Sequence, residues 1–174
     1  MQNLEKLINL KKLNNNNINR NYIKWMNDQD VLKYTEQRFQ KQTFKKIIKF
    51  ILEKNKSKIE FLYGIFFKQK NLLIHVGNIK LGPINKNHLS ADVSYIIGEK
   101  RFWKKGIGSL AVKKIIKIAK KKFKLKKLTA GCYENNYGSI KVLKKNSFKK
   151  EATFVSQILF KKKRIKKFVF GLKI

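Results

Sequence analysis

The stretch "SADVSYIIGEKRFWKKGIGSLAVKKIIKIA" (residues 90–119) places a strand, a glycine loop and a helix in succession, and this succession limits the folds open to the chain. Residues 90–98 have the pattern of a partly buried strand. From Ser109, apolar residues recur at three- and four-residue steps with the lysines largely opposite, which predicts an amphipathic helix. Glycines let a ligand approach the backbone, and a helix N-terminus adds positive potential. The stretch therefore predicts a phosphate-binding loop.

On both sides of this stretch, hydrophobic periodicity predicts the remaining elements. The predicted strands are 5–13, 59–67, 72–82, 90–98, 127–133 and a strand pair over 148–173. The predicted helices are 18–28, one from Thr43, one from Ser109 and one over 137–145. The order β-α-α-β-β-β-α-β-α-β-β is an antiparallel meander followed by a βαβ crossover. It predicts a mixed α/β fold in a single domain, residues 1–174.

Composition limits the class of protein. With 43% hydrophobic and 12% aromatic residues in 174, the chain is long and apolar enough for a hydrophobic core. A single cysteine, Cys132, excludes an internal disulfide and fits a reducing compartment. No apolar run approaches the roughly 18 residues that span a bilayer, and no signal-peptide core is visible. We therefore expect a cytoplasmic protein without a membrane partner.

The net charge of +33 suggests a polyanionic partner, but the type of base argues otherwise. Lysine supplies 39 of the 43 basic residues and is dispersed along the chain, alongside abundant asparagine and isoleucine. Proteins that recognise nucleic acid favour arginine for bidentate and stacking contacts. The pattern is typical of AT-rich coding and favours an enzyme over a basic RNA- or ribosome-binding module. Non-specific nucleic-acid binding at low salt is still expected.

Three kinds of phosphate loop compete for residues 104–109. The P-loop pattern G-x-x-x-x-G-K-[ST] is absent. The dinucleotide fingerprint is formally met by Gly106, Gly108 and Ala111, with Glu134 at the end of the next strand. The strands before it form a meander, however, and only 66 residues follow Gly108, so a doubly wound sheet has little room. The third kind is an acetyl-CoA loop.

Paired motifs favour this third kind. Residues 90–119 resemble the central motif of the GNAT N-acetyltransferases, a strand followed by the pyrophosphate loop [QR]-x-x-G-x-[GA]. "NNYGSIKVLKKNSF" (135–148) resembles their second motif, N-x-x-[SA]-x-x-V-L-x-K-x-G-F. "YIKWMNDQDVLKY" (22–34) and "HVGNIKLGPIN" (75–85) resemble a RimJ/RimL-like branch, some members of which serve surface-sugar biosynthesis.

The chain also departs from the family patterns. Trp103 stands where the loop pattern has a basic residue or glutamine, and Lys104 replaces a frequent glycine, which requires a negative φ. Ser147 replaces the glycine before Phe148. Leu143 stands where some members carry a tyrosine that acts as the general acid, so that residue is not available here.

The resemblance implies an N-acetyltransferase that uses acetyl-CoA, has no metal and acts as a monomer or homodimer. The acceptor would be a small-molecule amine such as a nucleotide-linked amino sugar, or alternatively a protein N-terminal amine. A sugar pocket should be closed and polar. A peptide site should be an open groove between the first helices and the last strands.

The resemblance also implies a set of cofactor-binding residues. The pyrophosphate would lie on the loop and first helical turn, formed by Trp103, Lys104, Lys105, Gly106, Ile107, Gly108 and Ser109. The pantetheine arm would pair with the main chain of Ile96, Ile97 and Gly98, and an amide near Ile97 would polarise the thioester carbonyl. Asn136 and Ser139 would contact the arm, unless Asn135 or Asn136 only caps the helix.

Catalytic and acceptor residues are less sharply indicated. Asp92 matches an acid of this branch and would deprotonate the amine, directly or through water, unless it is only a hydrogen-bonded surface acid. Tyr95 and Tyr133 are candidates for protonating the leaving thiolate, or are packed aromatics. By analogy the acceptor pocket would use Trp25, Asn27, His75 and Asn78, although a lone His75 is often structural and no metal-ligand cluster accompanies it.

Overall fold

A computed structural model describes residues 4–174, which form one seven-stranded sheet with helices packed against it. The strands are β1 (Ile8–Lys12), β2 (Phe61–Gln69), β3 (Leu72–Asn85), β4 (Ser90–Ile97), β5 (Lys127–Tyr133), β6 (Lys149–Phe160) and β7 (Lys163–Lys173). The helices are α1 (Leu4–Leu7), α2 (Arg20–Trp25), α3 (Gln29–Leu32), α4 (Phe44–Lys56), α5 (Ile107–Phe123) and α6 (Tyr137–Lys145). The strands lie in the order β1-β2-β3-β4-β5-β7-β6.

The sheet confirms the predicted mixed α/β class. Strands β1 to β4 pair in an antiparallel meander, β4 and β5 are parallel, and β5, β7 and β6 are again antiparallel. Parallel neighbours need a long crossover, and here α5 supplies it. The chain therefore places the loop before α5 at the carboxyl end of β4, beside the parallel strand β5.

Two apolar clusters hold the helices to the sheet. In the larger one, the buried side of α5 (Ile107, Ala111 and Ile115 among others) packs with Ile79 and Val93 of the sheet. In the second, Tyr22, Trp25 and Ile47 of α2 and α4 pack with Leu62 and Phe66 of β2. The lysines of α5 lie on its solvated side, as its sequence pattern predicts.

The first predicted strand is wrong in its first half. Residues Leu4–Leu7 form the helical turn α1, and β1 begins only at Ile8. The turn brings the Glu5 carboxylate to Lys113 Nζ at 2.6 Å and Lys117 Nζ at 3.3 Å, and Leu4 packs against the larger cluster. Contacts with α5 therefore override the local alternation of apolar and polar residues.

Other boundaries differ by a few residues. The helix predicted over 18–28 is shorter, because the Asn19 side chain accepts a hydrogen bond from the Tyr22 amide and caps α2 at its start. Thr43 caps α4 in the same way, as predicted. β3 extends to Asn85, and α5 begins two residues before Ser109, at Ile107.

Gly98, which follows β4, should not tolerate alanine. A Cβ there would stand 2.0 Å from Trp25 Cε3 and 2.2 Å from Trp25 Cδ2, in a ring that is itself buried. Because the ring cannot move aside, we expect Gly98→Ala to lower the free energy of unfolding by about 2–3 kcal/mol in urea denaturation.

The matched control is Gly171→Ala, where a Cβ would also meet an atom at 2.0 Å, but that atom is Glu151 Oε2 at the end of an exposed side chain. This side chain can rotate away, so we expect Gly171→Ala to change stability by less than about 1 kcal/mol. Equal losses in the two variants would contradict the account.

Candidate active site

The sheet opens between its two parallel strands. Within the described chain, β4 and β5 pair with each other only at Ser90–Asp92 and Lys127–Thr129, while β4 stays paired with β3 and β5 with β7. Beyond Asp92 the two strands diverge, so that Val93–Ile97 faces a gap. The gap leaves backbone groups of a central strand available for a ligand.

The register of β4 on β3 shows which backbone groups face the gap. The Gly98 amide donates to Val76 O at 2.9 Å, and Ile97 and Ile96 stand opposite Gly77 and Asn78. Since strand residues alternate between the two edges, the N–H groups of Tyr95 and Ile97 point away from β3 and into the gap. The Ile97 carbonyl points the same way and accepts the indole N–H of Trp103 at 2.8 Å.

The glycine loop ends in the N-terminus of α5. Gly106 caps the helix with φ +79°, a left-handed conformation that favours glycine, and Leu110 N donates to its carbonyl at 3.1 Å. The first amides of a helix have no acceptor within it, so the start of α5 presents free donors together with the positive end of the helix dipole. This arrangement fits a pyrophosphate.

Lys104 is a correction to the sequence analysis. The sequence allows lysine in place of glycine there only with a negative φ, whereas the structure gives φ +59°. Trp103 is anchored on Ile97 O, and the chain must reverse between that anchor and Gly106, which makes the left-handed turn necessary. Ser147 likewise keeps the conformation of the glycine it replaces, with φ +65°.

The start of α6 borders the gap on the α5 side of the sheet. The Asn136 side chain accepts a hydrogen bond from the Ser139 amide at 3.2 Å. Asn136, rather than Asn135, is therefore the residue that caps α6. The Tyr95 hydroxyl lies 2.8 Å from Ser139 Oγ. Burial raises the pKa of Tyr95 well above its usual range, so the phenol stays protonated at neutral pH.

A cavity of about 1570 Å³ joins the gap to the helices on the other side of the sheet. It brings together most of the predicted cofactor residues. They are Ile96, Ile97, Trp103, Lys104, Gly106, Ile107, Gly108, Ser109, Asn136 and Ser139. Tyr95, Tyr133 and Asn78 also line the cavity, whereas the described residues Gly98, Lys105, Asp92, Trp25, Asn27 and His75 do not.

Asp92 lies outside the cavity, among the described residues that face solvent. It stands at the closed end of the β4–β5 pair and accepts a hydrogen bond from the Thr129 hydroxyl. At about 3.3 Å per residue, Ile97 is roughly 16 Å further along the strand. Asp92 itself does not line the cavity, although the next residues, Val93 and Ser94, do, and its catalytic role stays a prediction.

Three of the predicted acceptor residues, Trp25, His75 and Asn78, belong to a buried network, and of these Asn78 also lines the cavity. His75 Nε2 lies 2.9 Å from both Gly77 O and Asn78 Oδ1, and Asn78 Nδ2 donates to the Tyr22 hydroxyl at 2.9 Å. Burial lowers the pKa of His75, so its ring stays neutral. The Trp25 ring packs against the His75 ring at 4.9 Å.

Asn27 braces a loop. Its side chain exchanges hydrogen bonds with the backbone of Gln42 and also donates to Ile23 O at 2.9 Å.

The sequence analysis missed a polar group on the acceptor side of the cavity. Glu36 and Arg38 lie in a 3-10 turn (Glu36–Phe39), and both reach Tyr133 at the end of β5. Tyr133 donates its hydroxyl proton to Glu36 Oε1, and Arg38 Nη1 donates to the Tyr133 oxygen at 2.6 Å. Nothing periodic marks residues 36–39, but acids are scarce, and Glu36 is one of only ten in the chain.

Neither a metal site nor a reactive thiol is found in the described part of the chain. Residues 4–174 contain no group of three or more His, Cys, Asp or Glu side chains that could hold a metal ion. Burial raises the pKa of Cys132 to about 11, which makes it a poor nucleophile. Across the same residues, none of the helices has the length and apolarity needed to cross a bilayer.

Comparison with known proteins identifies a family and several solved structures of the same fold. Residues 8–149 match the family model described as acetyltransferase (GNAT) domain. No curated protein matches the sequence. Spermidine N-acetyltransferase from Vibrio cholerae, solved with CoA and spermine, has a similar structure, with TM-score 0.85 and 15% identity over 97% of this chain and 96% of that one.

Two further structures have the same fold. A microcin C7 self-immunity acetyltransferase, solved with acetyl-CoA and AMP, has TM-score 0.81 and 17% identity over 96% of this chain and 92% of that one. A GNAT-family acetyltransferase from Bacillus anthracis has TM-score 0.77 and 19% identity over 95% and 94%. At these identities the likeness is one of fold.

Proposed function

Because this chain belongs to the GNAT acetyltransferase family, we propose that it transfers an acetyl group from acetyl-CoA to the primary amine of a small molecule, a nucleotide-linked amino sugar in the first instance. The family makes the chain an acyltransferase, and GNAT enzymes use acetyl-CoA as the acetyl donor. The proposal concerns the roles of the residues and the nature of the acceptor.

The gap and the loop provide a place for each part of acetyl-CoA. The amides from Lys104 to Ser109 would hold the pyrophosphate at the positive end of α5. The pantetheine arm would lie along β4, where the N–H groups of Tyr95 and Ile97 face the gap. Asn136 and Ser139 border the same gap, and Lys105 is exposed beside the loop for the outer phosphate. Acetyl-CoA supplies an activated acetyl thioester.

The backbone of β4 would also assist the transfer. An amide fixed at the end of a paired strand needs no rearrangement when negative charge develops on the thioester oxygen. The Ile97 N–H meets this condition, because Gly98 N–H to Val76 O and Trp103 Nε1–H to Ile97 O fix the peptide units around it. Tyr95 and Tyr133, the two predicted acids, both line the cavity with protonated hydroxyls, and Tyr95 would protonate the leaving thiolate.

One observation carries the choice of a small acceptor. A peptide would need an open groove between the first helices and the last strands, but here those elements are joined. The Tyr34 ring stacks on Phe160 at 5.6 Å between ring centroids, and Arg38 Nη2 donates to Leu159 O at 3.3 Å. These contacts narrow the groove between the first helices and the last strands, which supports a small polar amine over a protein N-terminus.

Other parts of the proposal follow from the sequence motifs. We place the chain in the RimJ/RimL-like branch on residues 22–34 and 75–85, and treat residues 1–174 as one acetyltransferase domain, acting in the cytoplasm as a monomer or homodimer. Non-specific nucleic-acid binding at low salt is expected from the charge of +33.

A panel of amines tests the acceptor. The full chain would be incubated with acetyl-CoA and, separately, UDP-glucosamine, spermidine and a short peptide with a free N-terminus, and the release of CoA thiol measured. We expect kcat/KM for UDP-glucosamine to exceed that for the peptide by at least about 10-fold, or ~1.4 kcal/mol. A preference for the peptide would favour the protein N-terminal alternative. If none of the three amines leads to release of CoA thiol, the proposed acceptor class is rejected.

A further inference from the structure

The hydroxyl of Tyr133 is placed to meet the acceptor amine. Tyr133 is the last residue of β5, and the register of Asp92 on Thr129 puts it level with Ile96 across the gap. It is on the same side of the sheet as Thr129, since strand side chains alternate. That is the side where α3 and the 3-10 turn Glu36–Phe39 line the cavity. An amine entering from those helices would reach Tyr133 beside the expected position of the thioester.

This hydroxyl is already part of a proton path. The Tyr133 O–H donates to Glu36 Oε1, and its oxygen accepts Arg38 Nη1–H at 2.6 Å. A phenolic oxygen has two lone pairs, so one remains to accept a proton from an ammonium group. Tyr133 is 6% exposed, whereas Glu36 is exposed, so the path runs from the cavity interior to solvent.

Cationic side chains contact the Tyr133 hydroxyl or line the same cavity as Glu36. Arg38 on its own turn, Lys33 at the end of α3 and Lys167 of β7 are all cationic, and the Lys167 side chain passes over Gly131 on the wall of the cavity. Because the Glu36 side chain is exposed, a proton that reaches it can leave directly for water. Burial, and then the neighbouring Glu36 carboxylate, raise the pKa of Tyr133, so the phenol alone is a poor base.

The other acids on the cavity wall are less suited. Among the described residues these are Asp30 and Glu53. Asp30 is paired with Lys100 Nζ at 2.7 Å and its side chain is 72% exposed. Glu53 is in the last turn of α4, at the opposite end of that helix from the Glu36 turn, and is exposed.

We propose that Glu36 receives the proton of the acceptor ammonium through the hydroxyl of Tyr133, with Arg38 positioning that hydroxyl; the proposal rests on the acetyl transfer proposed above. The ammonium proton moves to the Tyr133 oxygen as the Tyr133 proton moves to Glu36. The neutral nitrogen bonds to the acetyl carbon and the carbon–sulfur bond breaks. Tyr95 protonates the thiolate and regains a proton from the surplus one on the nitrogen, so the products are the amide, CoA thiol and one proton, which leaves Glu36 for water.

The test compares Glu36→Gln with wild type across pH, using the amine of the panel that wild type acetylates fastest. At neutral pH we expect Glu36→Gln to lower kcat by about 100-fold, within the range for a lost general base. The loss should shrink as pH approaches the pKa of the amine, because the free amine needs no base. Acetyl-CoA affinity, measured by calorimetry, should be unchanged. Tyr133→Phe should show the same rescue at high pH.

Three outcomes would overturn the assignment. A loss in Glu36→Gln that is equal at every pH would mean a structural role for Glu36. No loss in Glu36→Gln, or a pH-rescued loss in Asp92→Asn instead, would return the role of base to Asp92. Wild type that binds acetyl-CoA but acetylates no amine would reject the proposed function itself, and Glu36 with it. Since the first two outcomes require an active wild type, the two kinds of failure are distinguishable.

Discussion

Acetyl-CoA should bind at least about 100-fold more weakly to Gly108→Glu than to the wild-type protein. Gly108 is the second residue of α5 and lines the cavity. A Cβ there would be 3.6 Å from Val142 Cγ2 and 3.9 Å from Tyr95 Cε2, which are ordinary contacts, so the protein itself has room for a side chain. A carboxylate at this position would instead meet the phosphates expected on the amides of residues 104–109.

The magnitude follows from the interactions lost. Hydrogen bonds to a charged group contribute about 1.5–3 kcal/mol each, and a 100-fold loss of affinity is ~2.7 kcal/mol. An acid in the first turn of a helix is favourable with respect to the helix dipole, so the melting temperature should not fall. The affinity for acetyl-CoA should therefore fall while the melting temperature does not. A general loss of folding would lower both.

Calorimetric titration in about 0.3 M salt measures this effect, because distant exposed charges are largely screened there. The control is Asn87→Glu, which makes the same change in net charge on an exposed turn and should bind as wild type does. Equal binding by Gly108→Glu and wild type would show that the pyrophosphate does not lie at the start of α5. Binding that salt abolishes in all three proteins would favour the non-catalytic RNA-binding alternative.

The sequence was sufficient for the parts of this site that depend on one continuous segment. β4, the glycine loop and α5 are consecutive, so their periodicity and glycine spacing predicted the succession of strand, loop and helix that the structure forms from the same residues. α6 and its Asn136 cap were predictable for the same reason. The backbone conformation of Lys104 was not, because its positive φ arises from the anchoring of Trp103 on Ile97 O, a tertiary contact.

The acceptor side depends on contacts between distant segments. Glu36 and Tyr133 are 97 residues apart in sequence, and no local pattern joins a 3-10 turn to the end of a strand. Asp92 was chosen because it lies on β4, but the position of a residue along the strand also decides what it can reach. Ile97 is five positions after Asp92, and the point at which β4 and β5 diverge lies between them. Pairing register, rather than residue type, decides which acid reaches the cavity.

Trp25 gives the largest expected effect on stability, and it separates packing from ligand binding. The sequence analysis placed Trp25 in the acceptor pocket, whereas its side chain is 5% exposed and packs on the rings of Tyr22 at 5.3 Å and His75 at 4.9 Å. Truncating a buried tryptophan to alanine costs about 3–5 kcal/mol. Since domains of this kind have roughly 5–15 kcal/mol of stability, Trp25→Ala should lose a third or more of it in urea denaturation.

Trp25→Phe shows which property of the ring matters. The indole N–H of Trp25 is buried and has no hydrogen-bond partner among the described residues, so replacing the ring by phenyl breaks no hydrogen bond. Only the lost volume remains, and we expect a loss of about 1–1.5 kcal/mol. If Trp25→Ala instead keeps its stability and raises KM for the acceptor, Trp25 contacts the acceptor after all. A large loss with alanine and a small one with phenylalanine identifies it as the residue that packs α2 against β3 and against Gly98 after β4, which holds the end of β4 where the thioester is expected.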